Sequence, residues 1–285
     1  CAVIEFHSRD GFPLKGHLYG DAATAHAGMV IAPAMGVEQR FYADFAQWMA
    51  AQGWLVLCFD YRGMGASRPD SFRRSLKGLD ADIVTWAQQD AAAALDELDR
   101  RLGPERPIHW LGHSLGGQIL GLIPNRERVA RAVTVGAGSG YWRDNAAKLR
   151  RVVWWLWFVV VPVTLPIFGY FPGRRLRKVG DLPHGVMAQW RRWCLDRDYM
   201  MGEGGAALRA QYAALKTPML SMSFSDDEFM SRRGIESLHA FYAGARPEMR
   251  HIAPADIGER RIGHFGFFRP KFQTKLWPQI PAWLT

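Results

Sequence analysis

Gly112-His113-Ser114-Leu115-Gly116 sets a serine between two glycines at the spacing that holds a nucleophile on a sharp strand-to-helix turn. Such a turn strains the serine backbone and requires small neighbours. It also aims the N–H of Leu115 at the place where an oxyanion would form. The apolar run Ile108-His109-Trp110-Leu111 ahead of it reads as a short buried strand, and Gly117 to Leu122 behind it as the start of a helix. A nucleophilic serine needs a base, and that base needs a carboxylate to orient it. Both lie downstream. Ser225-Asp226-Asp227-Glu228-Phe229-Met230-Ser231 offers three consecutive carboxylates after an apolar run, and Ile262-Gly263-His264-Phe265-Gly266 offers a histidine in a loop near the C-terminus.

Other candidate groups are read more plainly. His113 is adjacent to the serine, cannot normally reach its side chain, and is read as structural filler. His109, in an apolar strand, is read as a core histidine. The other histidines have no acidic or cysteine companions at metal-ligand spacing, so neither a metal nor a cofactor is expected. Asp60-Tyr61-Arg62-Gly63-Met64-Gly65 lacks the Gly-Lys-Ser/Thr ending of a phosphate loop and is read as a turn bracing the nucleophile region.

The elements that must position these residues alternate along the chain. Residues 2–19 read as two strands around the turn Arg9-Asp10-Gly11-Phe12-Pro13. Continuous apolar strands follow at 28–32, 54–59, 108–111, 131–136 and 218–224, separated by helical patterns at 38–52 and 80–102. Strands without polar alternation, interleaved with helices, predict a mostly parallel sheet covered on both faces.

The alternation stops between 139 and 215. That stretch holds six of the twelve tryptophans, and residues 141–200 carry eleven Lys and Arg against four Asp and Glu, so most of the formal +9 charge sits there. It predicts a helical cap, residues 139–215, laid over a core formed by residues 1–138 and 216–285. Val152 to Phe171 has no charged residue over a length that spans a hydrocarbon core. Pro162 and Pro166 are expected to break it, and spanning would separate Ser114 from the groups after it. Trp154, Trp155 and Trp157 are therefore expected to line an apolar substrate pocket. Trp beside Arg also suits a membrane surface, and no nucleic-acid motif accompanies the basic clusters. The three cysteines, Cys1, Cys58 and Cys194, are too few for a disulfide framework and point to a reducing compartment. With no signal peptide visible, a cytoplasmic location is expected, peripheral at a membrane if the basic cap docks there.

Ala32-Pro33-Ala34-Met35-Gly36-Val37, Asp60-Tyr61-Arg62-Gly63-Met64-Gly65-Ala66-Ser67, the Gly-His-Ser-Leu-Gly-Gly turn and Gly263-His264-Phe265-Gly266-Phe267-Phe268 together resemble the α/β-hydrolase fold superfamily. Within it the chain resembles a group of bacterial predicted serine hydrolases with a helical cap. The resemblance covers essentially the whole chain and implies the order Ser, acid, His: Ser114, Asp227 and His264. Asp226 is the close alternative acid, and Glu228 follows. It also implies a second oxyanion donor after the third strand. Here the loop reads Pro33-Ala34-Met35 in place of His-Gly-x, so the donor would be the Met35 N–H. The expected activity is hydrolysis of a carboxylic ester or thioester with a hydrophobic acyl group. An acyltransferase using an alcohol or amine acceptor is the alternative enzyme, and a non-catalytic membrane-surface binding protein the alternative of another class.

Overall fold

The computed structural model describes residues 1–177 and 179–285. Lys178, part of the basic cluster noted above, lies outside the described residues. Among the described residues ten strands form, β1 (Ala2–His7), β2 (Pro13–Tyr19), β3 (Ala27–Ala32), β4 (Trp54–Phe59), β5 (Ile108–His113), β6 (Val129–Val135), β7 (Tyr170–Phe171), β8 (Leu182–Pro183), β9 (Met219–Phe224) and β10 (Glu248–Ile252). Eight make one sheet in the order β1-β2-β4-β3-β5-β6-β9-β10, while β7 and β8 form a separate antiparallel pair. The pairs β1/β2 and β2/β4 are antiparallel and all others in the large sheet are parallel. This is the mostly parallel sheet that the strand pattern predicts and the α/β-hydrolase fold that the resemblance implies.

The central strands are apolar throughout because both faces are covered. β3, β4 and β5 are buried at every position. One face packs on the helical run of residues 83–102 with Trp86, Leu95 and Leu98, and the other on the helix Ala43–Ala50 and the C-terminal segment with Phe45, Phe267 and Trp277. After β3 the chain turns one way to β4 and then crosses back to β5, so β3 and β5 are neighbours, Ala32 opposite Gly112. The reversal makes the carboxyl ends of these two strands the topological switch point, where open α/β sheets place their sites.

Two elements differ from the sequence pattern. β10 carries Glu248, Arg250 and His251 at the open edge of the sheet, so it lacks an apolar signature and is absent from the expected strands. The stretch 147–168 is one continuous helix of 22 residues in spite of two prolines. A π-helical turn, Leu156–Val160, precedes Pro162 and relieves the clash of its ring with the carbonyl one turn back.

Candidate active site

Ser114 follows β5 directly and has φ 51° and ψ −110°. A non-glycine residue in that region is strained, and here the surroundings impose it. A Cβ at Gly112 would sit 2.3 Å from the backbone of Gly116, and one at Gly116 would sit 2.0 Å from the Ala32 carbonyl oxygen. Only glycine lets the turn close against both its own next turn and the end of β3. The Trp110 indole N–H donates to Gly116 O at 2.9 Å and the Ser114 N–H to Val135 O at 2.9 Å, tying the turn to its own strand and to β6. Ser114 Oγ makes no capping bond to the helix that follows. That helix is only Leu115–Gln118, since the carbonyls of Gly117 and Gln118 are taken by the phenols of Tyr242 and Tyr212.

Asp227 and His264 meet beside this turn. Asp227 Oδ2 lies 2.8 Å from His264 Nδ1, and both residues are nearly fully buried. Asp227 Oδ1 accepts the N–H groups of Phe229 and Met230, each at 2.8 Å, which fixes the carboxylate plane. The pair packs on Gly136, just after β6, where an added Cβ would approach His264 Nδ1 to 3.3 Å and Asp227 Oδ2 to 3.4 Å. Ser114, Gly136 and Asp227 thus follow three adjacent parallel strands, β5, β6 and β9. A direct bond from Ser114 Oγ to His264 is not formed among the described residues. In ligand-free sites such bonds are often long and tighten with substrate bound.

The three consecutive carboxylates divide their work on one loop. Asp226 accepts the backbone N–H groups of Ile262 and Gly263 at 2.9 and 3.1 Å, Asp227 holds the ring of His264, and Glu228 accepts the backbone N–H of His264 at 3.1 Å. Gly263 has φ 70°, which lets the loop turn into this grip.

His113 is more than filler. Its Nε2–H donates to the carbonyl of His264 at 3.0 Å, and its Nδ1 accepts from the Tyr42 hydroxyl at 2.9 Å. That hydroxyl in turn accepts the N–H of Ala34 at 2.9 Å. The partners fix the tautomer, since a carbonyl can only accept. Complete burial pushes the His113 pKa well below the usual histidine range. A chain of three hydrogen bonds therefore runs from the Pro33-Ala34-Met35 loop, under the serine turn, to the backbone of His264. Tyr61 adds a bond from its hydroxyl to Pro33 O at 3.0 Å. No sequence pattern signals this chain, because His113 and His264 are 151 residues apart.

The brace read at Asp60 and Arg62 takes a definite form. Asp60 accepts from Gln39 N and Ala66 N, and Arg62 is held between Asp90 and Asp10 at 2.7 and 2.6 Å. Met35 follows β3 and Leu115 follows Ser114 at the end of β5, and neither N–H is engaged by an acceptor among the described residues. Phe41, Phe229 and Phe265 surround the base, with Phe265 and Phe229 rings 5.0 and 5.2 Å from that of His264 and Phe41 6.0 Å from Phe265.

The expected pocket tryptophans do not share one environment. Trp157 is buried edge-to-face on Trp190 at 5.1 Å. Trp154 and Trp155 are 43 % and 58 % exposed and contact each other on the outside of the helix.

A buried serine on a strained elbow beside an Asp–His pair accords with the family comparison. The model of the serine aminopeptidase S33 family matches residues 23–187, more than half of the chain. The chain belongs to this family. Two curated relatives of the S33-family chain are each 28 % identical to it. One is the quorum-quenching protein AidA of Acinetobacter baumannii (strain MDR-ZJ06), matched over 46 % of this chain and 42 % of its own. The other is the polyketide transferase grgF of Penicillium sp, matched over 46 % and 43 %. The chain therefore spans less than half the length of the curated relatives it matches. Among solved structures, a soluble variant of monoglyceride lipase from Saccharomyces cerevisiae superposes with a TM-score of 0.68 at 12 % identity, covering 99 % of this chain and 94 % of that one. At that identity the likeness speaks to the fold.

Proposed function

We propose that this S33-family chain is a serine hydrolase acting on a carboxylic ester or thioester with a hydrophobic acyl group. The observation that supports it best is the strained Ser114 elbow set beside the Asp227–His264 pair at the ends of neighbouring strands. Ser114 Oγ attacks the carbonyl carbon while His264 Nε2 takes its proton, and Asp227 at Nδ1 orients and stabilises the imidazolium. The Met35 and Leu115 N–H groups receive the oxyanion. His264 then protonates the leaving group, and water attacks the acyl-enzyme by the same route in reverse.

An ester suits the site better than an N-terminal amide. An aminopeptidase needs a free carboxylate for the substrate ammonium, yet Asp226 and Glu228 are engaged in holding the base loop, and the rings next to His264, those of His113, Phe229 and Phe265, carry no negative charge. Residues 139–215 form the cap in this reading, over a core of 1–138 and 216–285. A polyketide transferase among the relatives supports the second reading, in which an alcohol or amine replaces water as acceptor.

Labelling with a fluorophosphonate probe, followed by peptide mass mapping, tests the nucleophile. The adduct is expected on Ser114 and absent in Ser114→Ala. Modification elsewhere, or near-normal ester turnover by Ser114→Ala, would overturn the mechanism. A panel of p-nitrophenyl esters, acyl-CoA thioesters and aminoacyl anilides, with and without alcohol acceptors, then separates hydrolysis, transfer and peptidase activity.

A further inference from the structure

The helix Ala147–Phe168 is apolar on both sides but buries only one. Val153, Trp157, Val161 and Leu165 are buried at four-residue spacing, with Arg191 donating from Nε to Trp157 O at 2.7 Å, so one stripe seats on the helix His184–Leu195. The opposite side carries Val152, Trp155, Phe158, Val163 and Ile167 into solvent, Ile167 being 67 % exposed. A helix that is hydrophobic all round while half of it faces water marks a contact surface.

Charge identifies the occupant. No carboxylate occurs between Asp144 and Asp181. Exposed Lys148, Arg150 and Arg151 lie at one end of the helix, and exposed Arg174, Arg175 and Arg177 lie just beyond the other. Glu38 engages Arg174 at 3.5 Å, and Arg175 lies 5.9 Å over the Phe168 ring. A second copy on this face would bring basic residues against basic residues. An anionic bilayer would instead receive the apolar side chains among its acyl chains and the cations at its headgroups.

We propose that the outer face of the helix 147–168 docks this protein on anionic membrane surfaces, with the helix lying in the interface. The seated stripe rules out spanning, since burying Val153 and Trp157 against protein leaves only one side of the helix for lipid. The docking does not depend on the hydrolase reading, because its test needs no turnover.

The test is sedimentation of the full chain with phosphatidylcholine vesicles, with and without phosphatidylglycerol, at low and raised salt. Binding is expected to be stronger by about ten-fold or more with the anionic lipid, and to weaken as salt rises. Lys148→Glu/Arg151→Glu should reduce it about ten-fold or more and remove the preference for phosphatidylglycerol. Val163→Glu/Ile167→Glu should abolish it at every salt concentration, with the thermal midpoint unchanged. Equal partition onto both vesicle types, or no binding, overturns the proposal. So does a concentration-dependent dimer in light scattering that Val163→Glu/Ile167→Glu dissolves, which would give the face to a second copy.

Discussion

The carboxyl edge of the sheet and the helix 147–168 solve opposite problems. At the sheet edge the groups that position the base are matched: three adjacent carboxylates hold one loop, a buried histidine joins two loops, and glycines admit no extra atom. Past its basic first turn the helix has almost no polar groups and leaves half of its apolar surface uncovered. Catalytic geometry depends on the first arrangement, because a charge-stabilising site works only if its dipoles are already in place. The second tolerates substitution of individual residues, since a surface contact is a sum of areas.

Mutations should expose that asymmetry. Ser114→Ala and His264→Ala are each expected to lower kcat by on the order of 10⁴-fold or more, with the fold intact by circular dichroism. Asp227→Asn should cost about 10⁴-fold, whereas Asp226→Asn, which touches only the loop backbone, should cost roughly 10- to 100-fold. The reverse ranking, measured as kcat on one ester, would transfer the acid role to Asp226. His113→Phe breaks the chain between the two loops while keeping a ring. It should lower kcat by about 10²-fold with little change in KM, and Tyr42→Phe should cost less. A proportional rise in KM would mean that the chain supports binding rather than the reacting geometry.

On the helix the expected effects are smaller and fall on stability. Trp157→Ala should destabilise by about 3–5 kcal/mol, the usual cost of emptying a buried aromatic site. Trp155→Ala should change the thermal midpoint little, the exposed position costing within about 0.5 kcal/mol. If Trp155→Ala instead lowered kcat/KM for long-chain esters ten-fold and spared acetyl esters, the residue would line a pocket after all.

Acid should strike the sheet side first. Burial pushes His109, on β5, and His239, on the helix Arg232–Phe241 with its Nε2 2.8 Å from Thr134 Oγ1 of β6, down to about 4, and His113 well below the ordinary 6.5. Folding therefore excludes their protons. Their contribution to stability is complete above pH 6.5 and falls away as the pH drops toward 4. The thermal midpoint should decline over that window, and less steeply in a His239→Gln variant.

Much of the sheet was legible because its central strands are unbroken apolar runs, a signal that survives without any knowledge of partners. β10 was not, since an edge strand facing water keeps Glu248 and Arg250. The Gly-x-Ser-x-Gly turn spoke for Ser114 because its geometry is local. The separate duties of Asp226, Asp227 and Glu228 were hidden, as each is set by a contact 36 or 37 residues away. The tryptophan run suggested a lining, but composition cannot say which side of an apolar helix meets the protein. Only the spacing of Val153, Trp157 and Val161 in the folded chain does.

The positive φ of Ser114 has a consequence on an evolutionary scale. A glycine there would relax the backbone, so Ser114→Gly should be inactive yet more stable by about 1 kcal/mol or more. Selection for folding alone pushes this position away from serine. A descendant lineage that no longer needed the chemistry would gain by losing the hydroxyl, and persistence of serine among homologues would record continued use of the site.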